Sequence, residues 1–208
     1  MSFFGMQKSK LEEKIMEVFS NPPTLETERL LLVKISDEHA EDMYRYSSDP
    51  DVTKYLTWSC HSSLKETQRH IKYLDKKYKS GVFNDWGLIE KATGRMIGTC
   101  GFTSFDEKQS MAEIGYVLAK DMWGKGYAVE AAQRVMQFGR EVFGMTSFCA
   151  KCIEGNNASI AVMKKCGMTE LVGIYKNSMY IKGEYKTIVI YRTPVLFSFG
   201  EKSTQKRT

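Results

Sequence analysis

The chain has 208 residues, 42% of them apolar and 26% charged. That balance fits one globular domain of ordinary size and excludes an intrinsically disordered chain. The net charge is +5, and much of the excess lies near the ends, in Lys8, Lys10, Lys14, Lys202, Lys206 and Arg207. No basic stripe with interleaved aromatics marks a nucleic-acid binder, although a mild positive field would attract an anionic ligand. No apolar run is long enough to span a membrane. The N-terminus lacks the order of a secretory leader, so a cytoplasmic protein is expected. The 5 cysteines, an odd number without a leader, then read as reduced thiols. Cys149 and Cys152 form a C-x-x-C, but they sit in an alternating segment. A strand would send residues three apart to opposite faces, so neither a zinc site nor a redox pair is expected.

In chain order, Leu11, Ile15, Met16, Val18 and Phe19 among Lys and Glu predict an amphipathic helix over 8–19, stopped by Asn21-Pro22-Pro23. Residues 1–23 are read as a helical extension that packs on the domain or on a partner, and pairing with a second copy is left open. The main body, 24–195, begins with a strand at 29–34. Ser36 or Asp37 caps a helix running to about Ser47, and Asp49-Pro50-Asp51 breaks it. A long helix spans 63–79, with Leu64, Ile71, Leu74 and Tyr78 on one side, and Gly81 follows as a C-terminal glycine. Strands are predicted at 86–90, 96–102 and 112–118, joined by short turns as an antiparallel meander. A helix over 126–142, a strand at 147–153, a helix at 156–166 and strands at 168–175 and 184–192 complete the body. A polar tail occupies 196–208 and is expected to be disordered from Phe199 onward. The order implies an α+β fold, a mixed sheet covered by helices.

The chemistry is concentrated in Trp123-Gly124-Lys125-Gly126-Tyr127-Ala128, between a strand and a helix. The first turn of a helix carries backbone N–H groups with no partner inside the helix, and its dipole favours anions. Glycine lets backbone approach a diphosphate and take positive φ, and a lysine adds attraction. By itself G-x-G also fits a plain strand-to-helix turn. It is not a Walker loop, and Val129 stands where a dinucleotide fingerprint needs its third glycine.

With its neighbours the loop resembles the acyl-CoA loop of the GNAT acetyltransferase superfamily, and of its branch of ribosomal-protein N-terminal acetyltransferase-like enzymes (the RimJ/RimL group). Leu25-Glu26-Thr27-Glu28-Arg29-Leu30 resembles the opening strand. Ile97-Gly98 and Glu113-Ile114-Gly115-Tyr116-Val117-Leu118 resemble the central hairpin. Glu130-Ala131 continues the loop helix, and Asn156-Asn157-Ala158-Ser159 through Cys166-Gly167-Met168 resembles the last helix.

The resemblance implies a GNAT fold, a mostly antiparallel central sheet with splayed central strands. It implies acetyl-CoA as cosubstrate, no metal, and direct attack by a primary amine, either a protein N-terminus or a small amine. Residues 123–128 would hold the pyrophosphate. Val117 and Leu118 would pair with the pantetheine arm, with an N–H near Val117 at the acetyl oxygen. Asn156 would cap the last helix and bond the pantetheine. Glu113 is the candidate base, weighed against an ordinary salt-bridged strand residue. Ser159 is the candidate acid or thiolate partner, weighed against a helix serine bonded to backbone, because Met163 stands where many relatives carry a tyrosine.

Asp121 stands where the superfamily often has Gln or Arg and is expected to point away from the diphosphate. Cys166 is disfavoured as an acyl carrier. His39, His61 and His70 read as structural, while Asp85 and Trp86 open the first central strand near where an acceptor could enter and the resemblance puts Trp58 and Tyr55 on the acceptor side, each weighed against a core role. A non-catalytic CoA-binding regulatory or scaffold protein is the alternative from another class, and a nucleotide-binding protein using the same loop is a further one.

Overall fold

The structure, a computed structural model, describes residues 8–82 and 85–194. The tail expected at 196–208 lies outside these residues. Helix α1 spans Lys10–Ser20. Ser9 caps it: its side chain accepts from the Glu12 N–H at 3.1 Å while the Glu12 carboxylate accepts from the Ser9 N–H at 2.9 Å, a reciprocal box that satisfies two otherwise orphaned donors. Strands β1 (Leu25–Glu26) and β2 (Leu30–Val33) follow. A single 3-10 turn at Asp37–His39 then leads into α2 (Ala40–Ser47). Asp49-Pro50 stops α2 and also starts a short helix α3 (Pro50–Thr53), with Asp49 as its cap. Helix α4 (Leu64–Lys79) is capped by Ser63 and buries Thr67, Ile71, Leu74 and Tyr78, the stripe that 3.6-residue periodicity requires.

Strands β3 (Asp85–Glu90), β4 (Met96–Asp106) and β5 (Met111–Leu118) form the expected meander. Then come α5 (Tyr127–Phe143), β6 (Ser147–Ile153), α6 (Asn157–Lys165), β7 (Glu170–Ile181) and β8 (Glu184–Arg192). Among the described residues the strands form one sheet in the order β1-β2-β3-β4-β5-β6-β8-β7. Every neighbouring pair is antiparallel except β5 and β6. β4 and β7 run further than hydrophobic alternation indicates. Their outer ends pair as Asp106↔Met111 and Ile181↔Glu184, and β7 is largely exposed along its length, so no buried face is there to mark it.

One contact within this sheet positions the site. β5 and β6 pair only at Met111↔Ser147, Ala112↔Phe148 and Glu113↔Cys149. Beyond Glu113 the two strands part, and the outer half of β5 has an open edge toward β6.

Helix α1 does not stand apart from this body. Phe19 is fully buried, with ring centroids 5.3 Å from Trp86, 6.0 Å from Phe143 and 6.4 Å from Phe102. Such aromatic pairs contribute about 0.5–1.5 kcal/mol each beyond simple area burial. Cys149 and Cys152 lie three residues apart in β6, both buried as free thiols.

Candidate active site

Helix α5 begins at a left-handed residue. Gly126, its N-cap, has φ 85° and makes no side-chain cap bond, and Gly124 has φ 75°. L-residues avoid that region by roughly 1–2 kcal/mol. The two glycines therefore allow a turn that leaves the first N–H groups of α5 uncapped by any side chain, at the positive end of the helix dipole. A cavity of about 480 Å³ opens there. Its walls include Tyr116, Val117 and Leu118 of β5, Met122, Trp123, Gly124 and Gly126 of the loop, Tyr127 to Val129 of α5, and Asn156 and Ser159 at the start of α6. Two helix N-termini thus meet at one cavity beside the open edge of β5.

Of the residues expected to hold the cofactor, Val117, Leu118, Trp123, Gly124, Gly126, Tyr127, Ala128 and Asn156 line this cavity. Lys125 does not. Its ammonium lies 3.8 Å from the Met122 sulfur, and its carbonyl accepts from the Arg29 guanidinium at 3.0 Å. The cations on the cavity wall are Lys54 and Lys165, which sequence reasoning missed because they come from α6 and from the segment after α3. Asp121 points away from the loop, as expected, and pairs with Arg95 at 2.6 Å.

Backbone direction refines the role given to Val117. Ala119 donates to the Ile97 carbonyl at 2.8 Å, and the Leu118 carbonyl accepts from Trp123 Nε1 at 2.9 Å. N–H and C=O directions alternate along a strand. Val117, paired with Thr99, therefore turns its N–H toward β4 like Ala119, and Leu118 turns its own toward the gap. The N–H that faces the gap there is that of Leu118.

Asn156 caps α6, accepting from the Ser159 N–H at 3.2 Å. Ser159 Oγ lies 3.0 Å from the Tyr116 hydroxyl, which also donates to the Ser159 carbonyl at 3.0 Å. Burial pushes the Tyr116 phenol well above its usual value, so it stays protonated beside Ser159. Tyr116 belongs to the sequence block already singled out, but only the contact across to α6 gives it a role.

Glu113 stands in the salt bridge weighed against its role as base. It lies four residues from Val117, about 13 Å along the strand, where β5 and β6 are still paired. Its carboxylate accepts from Thr103 Oγ1 at 2.6 Å and pairs with Lys151 at 3.0 Å. The structure does not bring Glu113 to the cavity, because the strands part only beyond it.

The opening-strand block has a structural reason. Glu130, in the first turn of α5, accepts from Thr27 Oγ1 at 2.6 Å and from the Arg29 N–H at 2.9 Å. The Arg29 Nε donates to it at 2.7 Å, and the same guanidinium lies 4.3 Å over the Tyr127 ring. Burial alone would raise the Glu130 pKa, yet these bonds hold it below the usual range. The bend between β1 and β2 thus anchors the loop and the first turn of α5.

The comparisons with known proteins agree with this geometry. Residues 29–169 match the family model of the acetyltransferase (GNAT) domain. The chain is 33% identical over 173 residues to an uncharacterized N-acetyltransferase, p20, of Bacillus licheniformis, covering 83% of this chain and 96% of that protein. The crystal structure of a GNAT-family acetyltransferase from Bacillus anthracis superposes with a TM-score of 0.71 at 26% identity, covering 82% of this chain and 97% of that one. RimL, a ribosomal L7/L12 alpha-N-protein acetyltransferase solved in complex with coenzyme A, superposes with a TM-score of 0.70 at 22% identity, covering 82% and 97%. With a family model spanning most of the chain and a relative matched along nearly its whole length, this protein belongs to the GNAT acetyltransferase family, as an N-acetyltransferase whose standard reaction moves an acetyl group from acetyl-CoA to an amine.

Proposed function

We propose that this chain acetylates a primary amine by direct attack on acetyl-CoA bound in the cavity at the start of α5, as a cytoplasmic enzyme. The carrying observation is the coincidence at one cavity of an uncapped α5 N-terminus, a left-handed glycine turn and an unpaired strand edge. The diphosphate of the cofactor rests on the N–H groups of residues 124–128, with Lys54 and Lys165 nearby. The pantetheine amides pair with the free edge of β5, as a neighbouring strand would. The acetyl carbonyl then accepts from the Leu118 N–H, which stabilises the oxyanion as the amine adds.

Ser159, oriented by Tyr116, hydrogen-bonds the departing thiolate, and Asn156 keeps it in place by capping α6. The coenzyme A complex of RimL and the acetyl-CoA complex of MccE, a microcin C7 self-immunity acetyltransferase, support the choice of cofactor. A thiol-release assay with acetyl-CoA over a panel of primary amines and N-terminal peptides, paired with calorimetry of coenzyme A, tests the reading. Coenzyme A should bind, and at least one amine should release free thiol in proportion to acetylated product. Failure of the wild-type chain to bind coenzyme A would overturn it.

A further inference from the structure

A second cavity, of about 220 Å³, opens on the other face of the sheet. It shares one residue with the cofactor cavity: Val117 lines both. Its floor crosses three strands. Asp85 Oδ2 accepts from Thr99 Oγ1 at 3.3 Å, and Thr99 pairs directly with Val117. Asp85 itself pairs with Gly101, two residues along β4 from Thr99, so its backbone stands diagonally from Val117, on the order of 10 Å away given strand spacings of about 4.8 Å. That leaves room between them for an amine nitrogen and an acetyl group.

The outer wall is a row of rings. Trp58 and His61 have centroids 5.4 Å apart, His61 and His70 5.6 Å, and His70 and Tyr73 6.3 Å. His70 and Tyr73 are exposed and form the rim. Asp85 is the only carboxylate among the described residues that line this cavity.

We infer that Asp85 is the proton acceptor for the incoming amine, and that the cavity above it selects a small, unbranched primary alkylamine. This inference rests on the reading of the cavity at the start of α5 as the acetyl-CoA site. Aromatic faces pack along an alkyl chain, and a carboxylate below them accepts a hydrogen bond from its neutral amine. The space is small, about 220 Å³, which suits a short alkylamine.

The ammonium ion leaves its first proton in bulk water on entry. The amine lone pair then forms the C–N bond to the acetyl carbon, and the carbonyl π pair moves to oxygen. The second proton passes from nitrogen to the Asp85 carboxylate. Collapse restores the C=O bond and breaks the C–S bond, with the electron pair leaving on sulfur.

The surroundings suit a base. Asp85 is half-buried as a residue, yet its carboxyl group is packed deeply enough that burial pushes its pKa up to about 6, against a lowering contribution from the Thr99 bond and a smaller one from Lys77. A base titrating near working pH is better suited to the transfer than an ordinary aspartate. The other titratable groups facing this cavity are Tyr46 of α2, His70, Tyr73 and Lys77 of α4, and His61 of the preceding loop. Burial keeps His61 below its usual range, so it remains neutral. Lys77 opposes a second cation and so favours the neutral amine that attack requires.

The test measures thiol release with acetyl-CoA and either 1-aminobutane, 1,4-diaminobutane, tert-butylamine or Ala- and Ser-initiated tetrapeptides. Both straight-chain amines should be acetylated, and tert-butylamine should be at least ~10-fold poorer in kcat/KM. Asp85→Asn should lower kcat/KM by ~10²-fold or more and abolish the acid limb of the pH profile near 6. Its coenzyme A affinity should be unchanged. Its Tm at neutral pH should be equal or higher, because a buried ionised carboxylate is removed. Thr99→Val removes the bond that lowers the Asp85 pKa and should move the acid limb to higher pH. The inference is overturned if the Asn variant keeps activity within threefold, if the limb ignores both variants, or if only the peptides are acetylated while coenzyme A still binds. Absence of coenzyme A binding by the wild type would instead undo the cofactor reading beneath it.

Discussion

At the residue scale, the geometry separates two polar side chains that the sequence ranks together. Ser159 and Glu113 both stand at positions that chemistry could use. Only Ser159 faces the cofactor cavity, with Tyr116 at its hydroxyl. Ser159→Ala should therefore lower kcat by ~10²-fold, the lower range for a lost proton donor or hydrogen bond to the reacting group, with the KM for acetyl-CoA little changed. Glu113→Gln should leave kcat within about threefold. Its measurable effect should be a stability loss of about 1 kcal/mol or less from the half-exposed Lys151 pair. Steady-state kinetics and denaturant unfolding of both variants check this, and a larger kcat loss in Glu113→Gln would return the base role to that residue. Nothing in a linear sequence distinguishes these positions. The parting of β5 from β6 beyond Glu113 is a property of the sheet, and it decides which β5 side chains face a gap and which face a neighbour.

At the element scale, the glycine turn before α5 and the β1–β2 bend act as one unit. Glu130 in the first turn of α5 takes three hydrogen bonds from Thr27 and Arg29, and Arg29 also holds the Lys125 carbonyl. This is why a Glu-Thr-Glu-Arg block about a hundred residues upstream belongs with the glycine loop. The glycines have their own requirement. A methyl group added at Gly124 would meet nothing within 4 Å, so Gly124→Ala introduces no clash in the unliganded chain. Its stability cost should be the left-handed backbone alone, about 1–2 kcal/mol. The added methyl would lie beside the cofactor cavity, so the affinity for coenzyme A should fall by ~10-fold or more. Thermal unfolding and calorimetry read the two effects separately, and unchanged affinity would show that the diphosphate does not approach this backbone. The glycines, the missing third glycine and the helix after them were all legible from spacing. The tie from Arg29 to Lys125 was not, because sequence separation carries no information about which loop a guanidinium reaches.

At the scale of the whole molecule, α1 belongs to the central core. The sequence marks it as an amphipathic extension, since its helix ends at a proline pair and its apolar stripe is short. The structure places Phe19 among Trp86, Phe102 and Phe143, which come from β3, β4 and α5. Phe19→Ala should cost about 3–5 kcal/mol, the usual price of emptying a large aromatic site. A loss under about 1 kcal/mol in urea unfolding would mean that α1 is peripheral.

The sequence by itself determined most of the element order, the Asn156 cap, the glycine loop and its family resemblance, because each depends on neighbours a few residues apart, while the expected Ser36 or Asp37 cap of α2 gave way to a 3-10 turn at Asp37–His39. Tertiary structure alone decided which strand edge is free, which N–H faces the gap, and that Tyr116 meets Ser159. It also decided that Asp85, Thr99 and Val117 line one cavity beneath the aromatic rings of α4 and the loop before it. Those relations arise from strand register and from helices packed across the two faces of the sheet, and register is set by the summed pairing of all eight strands rather than by any local pattern.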